Sequence, residues 1–172
     1  HIAVFIVLLD KFSKFIYQMT TFVYLCHFKN RYMSLQKENK NILVTGASGF
    51  IGSFLVEGAL ERGMQVWAGV RKSSSRKYLQ DQRIRFAELN LGDKEKLREQ
   101  LAKHKQEHKG WDYIIHCAGV TKCKNLEDFD KGNYQATVNL VEVLKELDMV
   151  PQHFIYISSL SIFGPIHEDT YQ

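Results

Sequence analysis

The stretch NILVTGASGFIGS, residues 41–53, carries three glycines at intervals of three residues, Gly46, Gly49 and Gly52. The apolar run before them, 42–45, is short and ends at a glycine, which predicts a buried strand. The residues after them, 50–62, place apolar side chains at a helical spacing and stop before Gly63, which predicts a helix. The stretch therefore predicts a strand, a glycine turn and a helix in immediate succession.

The remainder of the chain repeats this alternation of short apolar runs with helical patterns. We expect further strands at 65–70, 84–89, 113–117 and 153–158, and helices at 93–108 and 133–147. Apolar strands that alternate with helices are typical of a parallel sheet covered on both faces. The predicted fold is therefore α/β, a Rossmann-type doubly wound parallel sheet of about five strands.

A strand, a glycine-rich turn and a helix form the first unit of a doubly wound nucleotide-binding fold. One glycine makes the tight turn, one lets the backbone approach a pyrophosphate, and one lets the helix pack against the strand. The phosphates would rest on the free N–H groups of the helix that begins near Phe50. A plain structural turn is the alternative, and the missing Gly-Lys-Ser/Thr ending disfavours a nucleotide-hydrolysing P-loop.

Charge and cysteine content exclude several classes of protein. The net charge of +4 divides into +3 for residues 1–32 and +1 for residues 33–172, so no basic patch remains that indicates nucleic acid. The three cysteines, Cys26, Cys117 and Cys123, lack the paired spacing of a disulfide framework or a zinc ribbon. These features favour one domain in a reducing, cytoplasmic setting.

Residues 1–32 are apolar and basic and differ from the rest. Their apolar runs, 2–9 and 15–28, are each too short to span a membrane, and no signal peptide pattern is present. We expect this extension to lie outside the fold, with Met33 as the true start and 33–172 as the folded domain. An anchor or an amphipathic surface segment remains the alternative.

At this point the motifs resemble a known family. VTGASGFIG resembles the signature of the extended short-chain dehydrogenases/reductases, which include NAD-dependent epimerases and dehydratases and dihydroflavonol-reductase-like enzymes. Three later segments continue the resemblance in order: HCAG at 116–119, NYQATVNLVEV at 133–143 and YISSLSIFG at 156–164. The resemblance implies that 33–172 is an NAD(P)-binding domain of an oxidoreductase, epimerase or dehydratase. It implies hydride transfer on a sugar-nucleotide or a small carbonyl or hydroxyl substrate.

The family's cofactor contacts carry over to matching positions of this chain. In the turn and the first helix they are Gly46, Ser48, Gly49, Phe50, Ile51 and Gly52. Asn90 and Leu91 match the pair that contacts adenine, with Asn90 in the place of the usual aspartate. The family's cofactor-lining segment after the fourth strand matches Cys117, Ala118 and Gly119, and Ser158 is a candidate for the nicotinamide pocket.

The end of the second strand bears on the choice of cofactor. An NAD-binding chain usually carries an acidic residue there for the ribose 2′-hydroxyl, and Val70 occupies that place. Arg71 and Lys72 follow, and a guanidinium suits a 2′-phosphate. The sequence therefore favours NADP over NAD, and an ordinary exposed basic residue is the alternative.

By resemblance, the catalytic hydroxyl is Ser159, which would bond the substrate oxygen while a tyrosine moves the proton. The chain contains no Tyr-x-x-x-Lys, and Tyr171 reads as a loop residue. We expect the chain to be a fragment, inactive alone, whose substrate-binding region and catalytic Tyr and Lys lie beyond Gln172. A non-catalytic NAD(P)-binding sensor or scaffold is the alternative. As partners we expect a small-molecule substrate but neither nucleic acid nor a membrane. The formation of a homodimer is left open.

The segment HKQEH, residues 104–108, matches the His-x-x-Glu-His pattern of certain zinc peptidases. It lies in a highly charged helix end of a fold that already has a predicted cofactor site. We therefore expect no metal site there, and we expect His116 to be structural.

Overall fold

The computed structural model describes residues 4–8 and 40–159. These residues form six strands, which are β1 Val4–Leu8, β2 Asn41–Thr45, β3 Gln65–Val70, β4 Arg85–Glu88, β5 Tyr113–His116 and β6 His153–Ser159. The helices are α1 Phe50–Glu61, α2 Lys94–Glu107, α3 Leu126–Asp130 and α4 Ala136–Glu146, with a π-helical turn at Lys131–Gln135. The described part of the chain contains no helix long and apolar enough to cross a membrane.

The strands form one sheet in the order β1-β6-β5-β2-β3-β4. Strands β2 to β6 are parallel to one another, so the predicted five-stranded, doubly wound parallel sheet is confirmed. The chain runs outward from β2 through β3 and β4, then returns to place β5 on the other side of β2. The carboxyl ends of β2 and β5 therefore flank the point where the strand order reverses, where such folds bind ligands.

Strand β1 departs from the expectation for the amino-terminal extension. Val4–Leu8 pairs antiparallel with β6, with Val4 opposite Ser159 and Leu8 opposite Ile155. The outer edge of β6 offers backbone N–H and C=O groups, and the apolar VFIVL run can satisfy them. These five residues thus belong to the sheet, whereas residues 1–3 and 9–32 lie outside the described residues and their placement stays a prediction.

Both faces of the sheet are buried, which explains why the sequences of its strands are continuously apolar. In β2, Ile42 and Val44 belong to the cluster packed with α1, and Leu43 belongs to the cluster packed with α2 and α4. All three are nearly or fully buried. Alternate residues of one strand thus enter opposite cores, as a sheet covered on both faces requires.

The helix predicted at 133–147 begins earlier and contains an irregular turn. The Asn125 side chain accepts a hydrogen bond of 2.8 Å from the Asp128 N–H and begins α3 at Leu126. The chain then passes through the π-helical turn into α4. The prediction missed this start because Leu126 is 81% exposed and its helix has no buried residue, so no apolar stripe marks it.

Candidate functional site

The turn after β2 has a backbone conformation that favours glycine. Gly46 has φ 65°, and the Gly49 N–H donates to its carbonyl at 3.0 Å. A β-carbon on Gly46 would lie 2.7 Å from the α-carbon of Ala118, which follows β5. The turn therefore excludes any side chain at this position, because it brings the ends of β2 and β5 into backbone contact.

Gly52 allows the first turn of α1 to pack on the same turn. A β-carbon there would overlap the Gly46 carbonyl oxygen and lie 2.8 Å from the α-carbon of Ala47. Gly49 is the N-cap of α1 and provides no side-chain cap. The first N–H groups of α1 lack partners within the helix, so its positive end is open to an anion.

A cavity of about 370 Å³ opens at this edge of the sheet. Nine of the predicted cofactor residues line it, which are Gly46, Ser48, Gly49, Arg71, Asn90, Leu91, Cys117, Ala118 and Gly119. They come from the loops after β2, β3, β4 and β5, and the fold brings them together because parallel strands end at one edge. The volume lies in the range of small-molecule sites.

The other predicted site residues lie outside this lining. Phe50 is 70% exposed and packs edge-on against Phe54, with ring centroids 5.1 Å apart. Ile51 and Gly52 lie in the first turn of α1. Lys72 lines a second cavity of about 650 Å³, which shares Arg71, Leu89 and Asn90 with the first.

Two predicted residues lie at the end of β6. Ser158 is half-buried, and Ser159 is the last residue of the strand. Because β6 is parallel to β5, this end lies at the carboxyl edge of the sheet, as the cavity does. The side chain of Ser159 and the whole of Tyr171 lie outside the described residues.

Arg71 is held in a tight turn at the end of β3. Its N–H donates to the Ser74 hydroxyl at 3.0 Å, and the Ser74 N–H donates to its carbonyl at 2.9 Å. Arg71 is exposed and is one of three residues that line both cavities. Ser74 also lines the first cavity and was missed, because the sequence showed it only as part of a polar linker.

The loop after β4 is anchored by amide side chains from two helices. The Asn90 N–H donates to Gln100 of α2 at 2.8 Å, and the Asn139 side chain of α4 donates to the Leu91 carbonyl at 2.8 Å. Asn139 is buried, at 4% exposure. These two bonds fix the backbone of the predicted adenine contacts, and no local sequence pattern marks the two amide residues.

Residues 117–120, which we call the β5 wall, form the opposite side of the cavity. The Cys117 thiol donates to the Thr45 carbonyl at 2.8 Å, and burial raises its pKa to about 12. The thiol is therefore protonated at neutral pH and is a poor nucleophile. The Asn133 amide accepts from the Val120 N–H at 2.9 Å and donates to the Val120 carbonyl at 3.1 Å, which clamps the end of the wall.

His116 lies fully buried behind the β5 wall. Its Nδ1 is 2.7 Å from the Thr45 hydroxyl and its Nε2 is 3.0 Å from the Thr137 hydroxyl. Burial lowers the pKa of His116 to about 4, so the ring is neutral at physiological pH.

The HKQEH segment forms an aromatic cluster at the end of α2. His104 stacks on Trp111 with centroids 4.2 Å apart and meets Trp67 edge-on at 4.6 Å. Burial and the neighbouring His108 lower the pKa of His104 to about 4. Within residues 4–8 and 40–159, no group of three or more His, Cys, Asp or Glu side chains is placed to hold a metal ion.

Comparison with known proteins shows which family the chain resembles. Residues 42–172 match the family described as NAD dependent epimerase/dehydratase. A decarboxylating sterol-4-alpha-carboxylate 3-dehydrogenase of Dictyostelium discoideum is 30% identical over 109 residues, which cover 62% of this chain and 31% of that protein. The chain spans about a third of the length of the curated relatives it matches.

Two solved structures share the fold. The ADP-L-glycero-D-manno-heptose-6-epimerase of Helicobacter pylori has a TM-score of 0.63 and 27% identity, covering 80% of this chain and 44% of that chain. The UDP-glucose 4-epimerase of Thermus thermophilus, solved in complex with NAD, has a TM-score of 0.51 and 26% identity, covering 63% and 35%.

Proposed function

The chain belongs to the NAD dependent epimerase/dehydratase family, and we propose that its cavity binds a nicotinamide dinucleotide for hydride transfer on a small molecule. One observation carries the proposal: the cavity lies against the open, positive end of α1, where Gly46 and Gly52 leave no room for a side chain. A β-carbon at either position would clash with the protein's own backbone, so these two glycines let the turn close tightly at the N-terminus of α1, whose free N–H groups suit a phosphate.

The residues around the cavity suggest how each part of such a cofactor is held. The N–H groups of the first turn of α1 would bind the pyrophosphate. The anchored loop with Asn90 and Leu91 would hold the adenine, and the β5 wall with Ser158 would face the nicotinamide. When bound, the cofactor supplies a carbon that accepts or donates a hydride.

We propose that this chain prefers NADP to NAD. No acidic side chain ends β3, and the exposed Arg71 lines both cavities with Lys72 beside it in the second. A guanidinium can clasp a 2′-phosphate through two hydrogen bonds. Glu88 and Glu99 also line the second cavity, and their charges oppose a phosphate placed deep inside it.

Ser159 supports the proposed chemistry through its place in the sheet. Strand β6 carries it to the same carboxyl edge as the cavity. Its hydroxyl would donate a hydrogen bond to a substrate oxygen while a tyrosine transfers the proton. The relatives include a dehydrogenase and two epimerases, so a sugar-nucleotide or a small carbonyl or hydroxyl compound is the proposed substrate. A homodimer and a cytoplasmic location remain predictions.

A substitution at the cap of α1 tests cofactor binding separately from folding. Gly49 has φ −81° and ψ 171°, a conformation that an ordinary N-cap residue adopts. A β-carbon there would lie 3.2 Å from the Gly46 carbonyl oxygen, so only a small local shift is needed. The variant Gly49→Asp should cap the helix and keep the melting temperature near that of the wild type, while its charge repels the pyrophosphate.

The measurement is a fluorescence titration with NADPH and NADH. We expect the wild type to bind and Gly49→Asp to bind at least about a hundredfold more weakly, because a like charge replaces an open anion site. Gly110→Asp is the matched control, since nothing lies within 4 Å of a β-carbon at Gly110. Absence of binding to the wild type, or equal binding to wild type and Gly49→Asp, would refute the proposed function.

A further inference from the structure

His116 has no assigned role, although it is the most deeply placed ionisable group near the cavity. Its exposure is 0% and it does not line the cavity itself. Each ring nitrogen meets one threonine hydroxyl, Thr45 from β2 and Thr137 from α4. The imidazole therefore connects a strand with a helix immediately behind the β5 wall.

The direction of each hydrogen bond follows from the number of protons available. The Thr137 hydroxyl has one hydrogen, which it donates to the Asn133 carbonyl at 2.6 Å. Its oxygen must then accept from His116, so the imidazole carries its proton on Nε2. The other nitrogen, Nδ1, has a lone pair and accepts from the Thr45 hydroxyl.

The chain of bonds continues into the cavity at both ends. With its hydrogen given to His116, the Thr45 hydroxyl oxygen accepts from the Ala118 N–H at 3.3 Å. At the other end, Asn133 accepts from Thr137 through its backbone, while its side chain clamps Val120. Both ends of the segment 118–120 thus depend on one ordered series of bonds with His116 at its centre.

We propose that His116 is a positioning residue for the cofactor site: as a neutral Nε2–H imidazole it orients Thr45 and Thr137 and so fixes the backbone of the β5 wall. The proposal rests on the proposed function, because it assigns the wall to cofactor binding. It adds that cofactor affinity depends on the Thr137 hydroxyl, which lies outside the lining of the cavity. His116 influences cofactor affinity through these hydrogen bonds, and its Nε2–H tautomer determines which group donates and which accepts in each of them.

A charged ring would break this order. Both of its nitrogens would donate, and the Thr45 hydroxyl would lose the acceptor for its own hydrogen. Full burial also favours the neutral ring, since both of its nitrogens are bonded to uncharged hydroxyl groups. The geometry and the environment therefore favour the same protonation state.

Thr137 offers the sharpest test, because it lies outside the residues that line the cavity. Thr137→Val keeps the shape and removes the hydroxyl, whereas Thr137→Ser keeps the hydroxyl. We expect NADPH to bind about tenfold more weakly to Thr137→Val, because the His116 donor and the Asn133 acceptor both lose their partner. Thr137→Ser should bind within about twofold of the wild type.

Nitrogen-15 spectra of the imidazole give a readout that a merely structural role would not move. In the wild type we expect the neutral Nε2–H tautomer of His116 from pH 6 to 8. In Thr137→Val we expect the Ala118 amide resonance to shift even without cofactor. A charged ring, an Nδ1–H tautomer, or equal NADPH affinity in wild type and Thr137→Val would overturn the proposal.

The outcomes separate this proposal from the proposed function. If the wild type binds no NADPH, the proposed function fails, and the tautomer and the Ala118 shift still decide whether the hydrogen-bond order exists. If Thr137→Val does not fold, the wild-type tautomer decides, together with NADPH binding to Thr45→Ser. That variant keeps the hydroxyl and should bind within about threefold of the wild type, whereas a larger loss would count against the proposal.

Discussion

Gly46 and Ala118 meet backbone to backbone: a β-carbon on Gly46 would lie 2.7 Å from both the α-carbon and the nitrogen of Ala118. One residue follows β2 and the other follows β5, and they are 72 positions apart in sequence. Both residues line the cavity, and they meet at the point where the strand order reverses. The strand order therefore determines where the site lies, and the absence of a side chain on Gly46 allows the two loops to meet there.

The first prediction concerns this contact. Gly46→Ala should lower the free energy of unfolding by about 1–3 kcal/mol or more, because alanine is strained at φ 65° and its methyl group meets Ala118. Urea denaturation measures the change. Gly110→Ala is the control and should change stability by less than about 1 kcal/mol, since that site is open. Equal free energies of unfolding for Gly46→Ala and Gly110→Ala would contradict the close contact between Gly46 and Ala118.

The second prediction concerns cofactor choice. If Arg71 clasps the 2′-phosphate, the wild type should bind NADPH about ten- to a hundredfold more tightly than NADH. Arg71→Ala should remove most of that margin and leave NADH binding nearly unchanged, because NADH has no phosphate there. A residual preference of a few fold is consistent with Lys72. Equal affinities of the wild type for the two cofactors would contradict the assignment.

The third prediction is a pH dependence of stability. His104 and His116 have folded-state pKa values lowered to about 4, below the ordinary value of 6.5. The unfolded chain thus binds more protons between these pH values, so stability is complete above pH 6.5 and falls as pH drops towards 4. From pH 7 to pH 5 we expect the fully buried His116 to cost about 2 kcal/mol and the less deeply buried His104 to cost less.

Urea denaturation of His104→Leu at both pH values isolates one of these contributions. The variant should lose clearly less stability than the wild type over the same interval, because the contribution of His104 is removed while that of His116 remains. An unchanged loss in His104→Leu, or a wild type that becomes more stable at pH 5, would contradict the prediction.

The fourth prediction concerns the start of α2. The Asp93 side chain accepts from the Lys96 N–H at 3.1 Å and caps the helix. Asp93→Ala should cost about 1 kcal/mol in the free energy of unfolding, whereas Asp93→Asn keeps the acceptor and should cost only a few tenths. Thermal or urea unfolding compares the two. Equal losses for Asp93→Asn and Asp93→Ala would show that the charge, and not the cap, stabilises the helix.

The strands could be predicted from the sequence because burial leaves a local pattern. In β2, residues 42–44 enter two different cores, so every position is apolar and the run stands out. The glycine turn was equally visible, since its three glycines are close in sequence. Helix α3 was missed because its capping residue Asn125 precedes side chains that remain exposed.

The parts of the site that the sequence did not reveal depend on distant partners. Asn139 bonds the Leu91 carbonyl across 48 positions, and Thr45 bonds His116 across 71. Amide and hydroxyl residues are common throughout the chain, and nothing near them in sequence shows which backbone group they meet. Their roles appear only when the strand order is known.

The most direct measurement is a map of amide chemical shifts during titration with NADPH. We expect the largest changes at residues 48–52 and 117–120, which surround the cavity, and at Arg71 and Asn90. The amides of Trp111 and Gly110 near the end of α2 should not move. Changes confined to the α2 end, or no changes at all at saturating NADPH, would contradict the account that the glycine turn holds a nicotinamide cofactor.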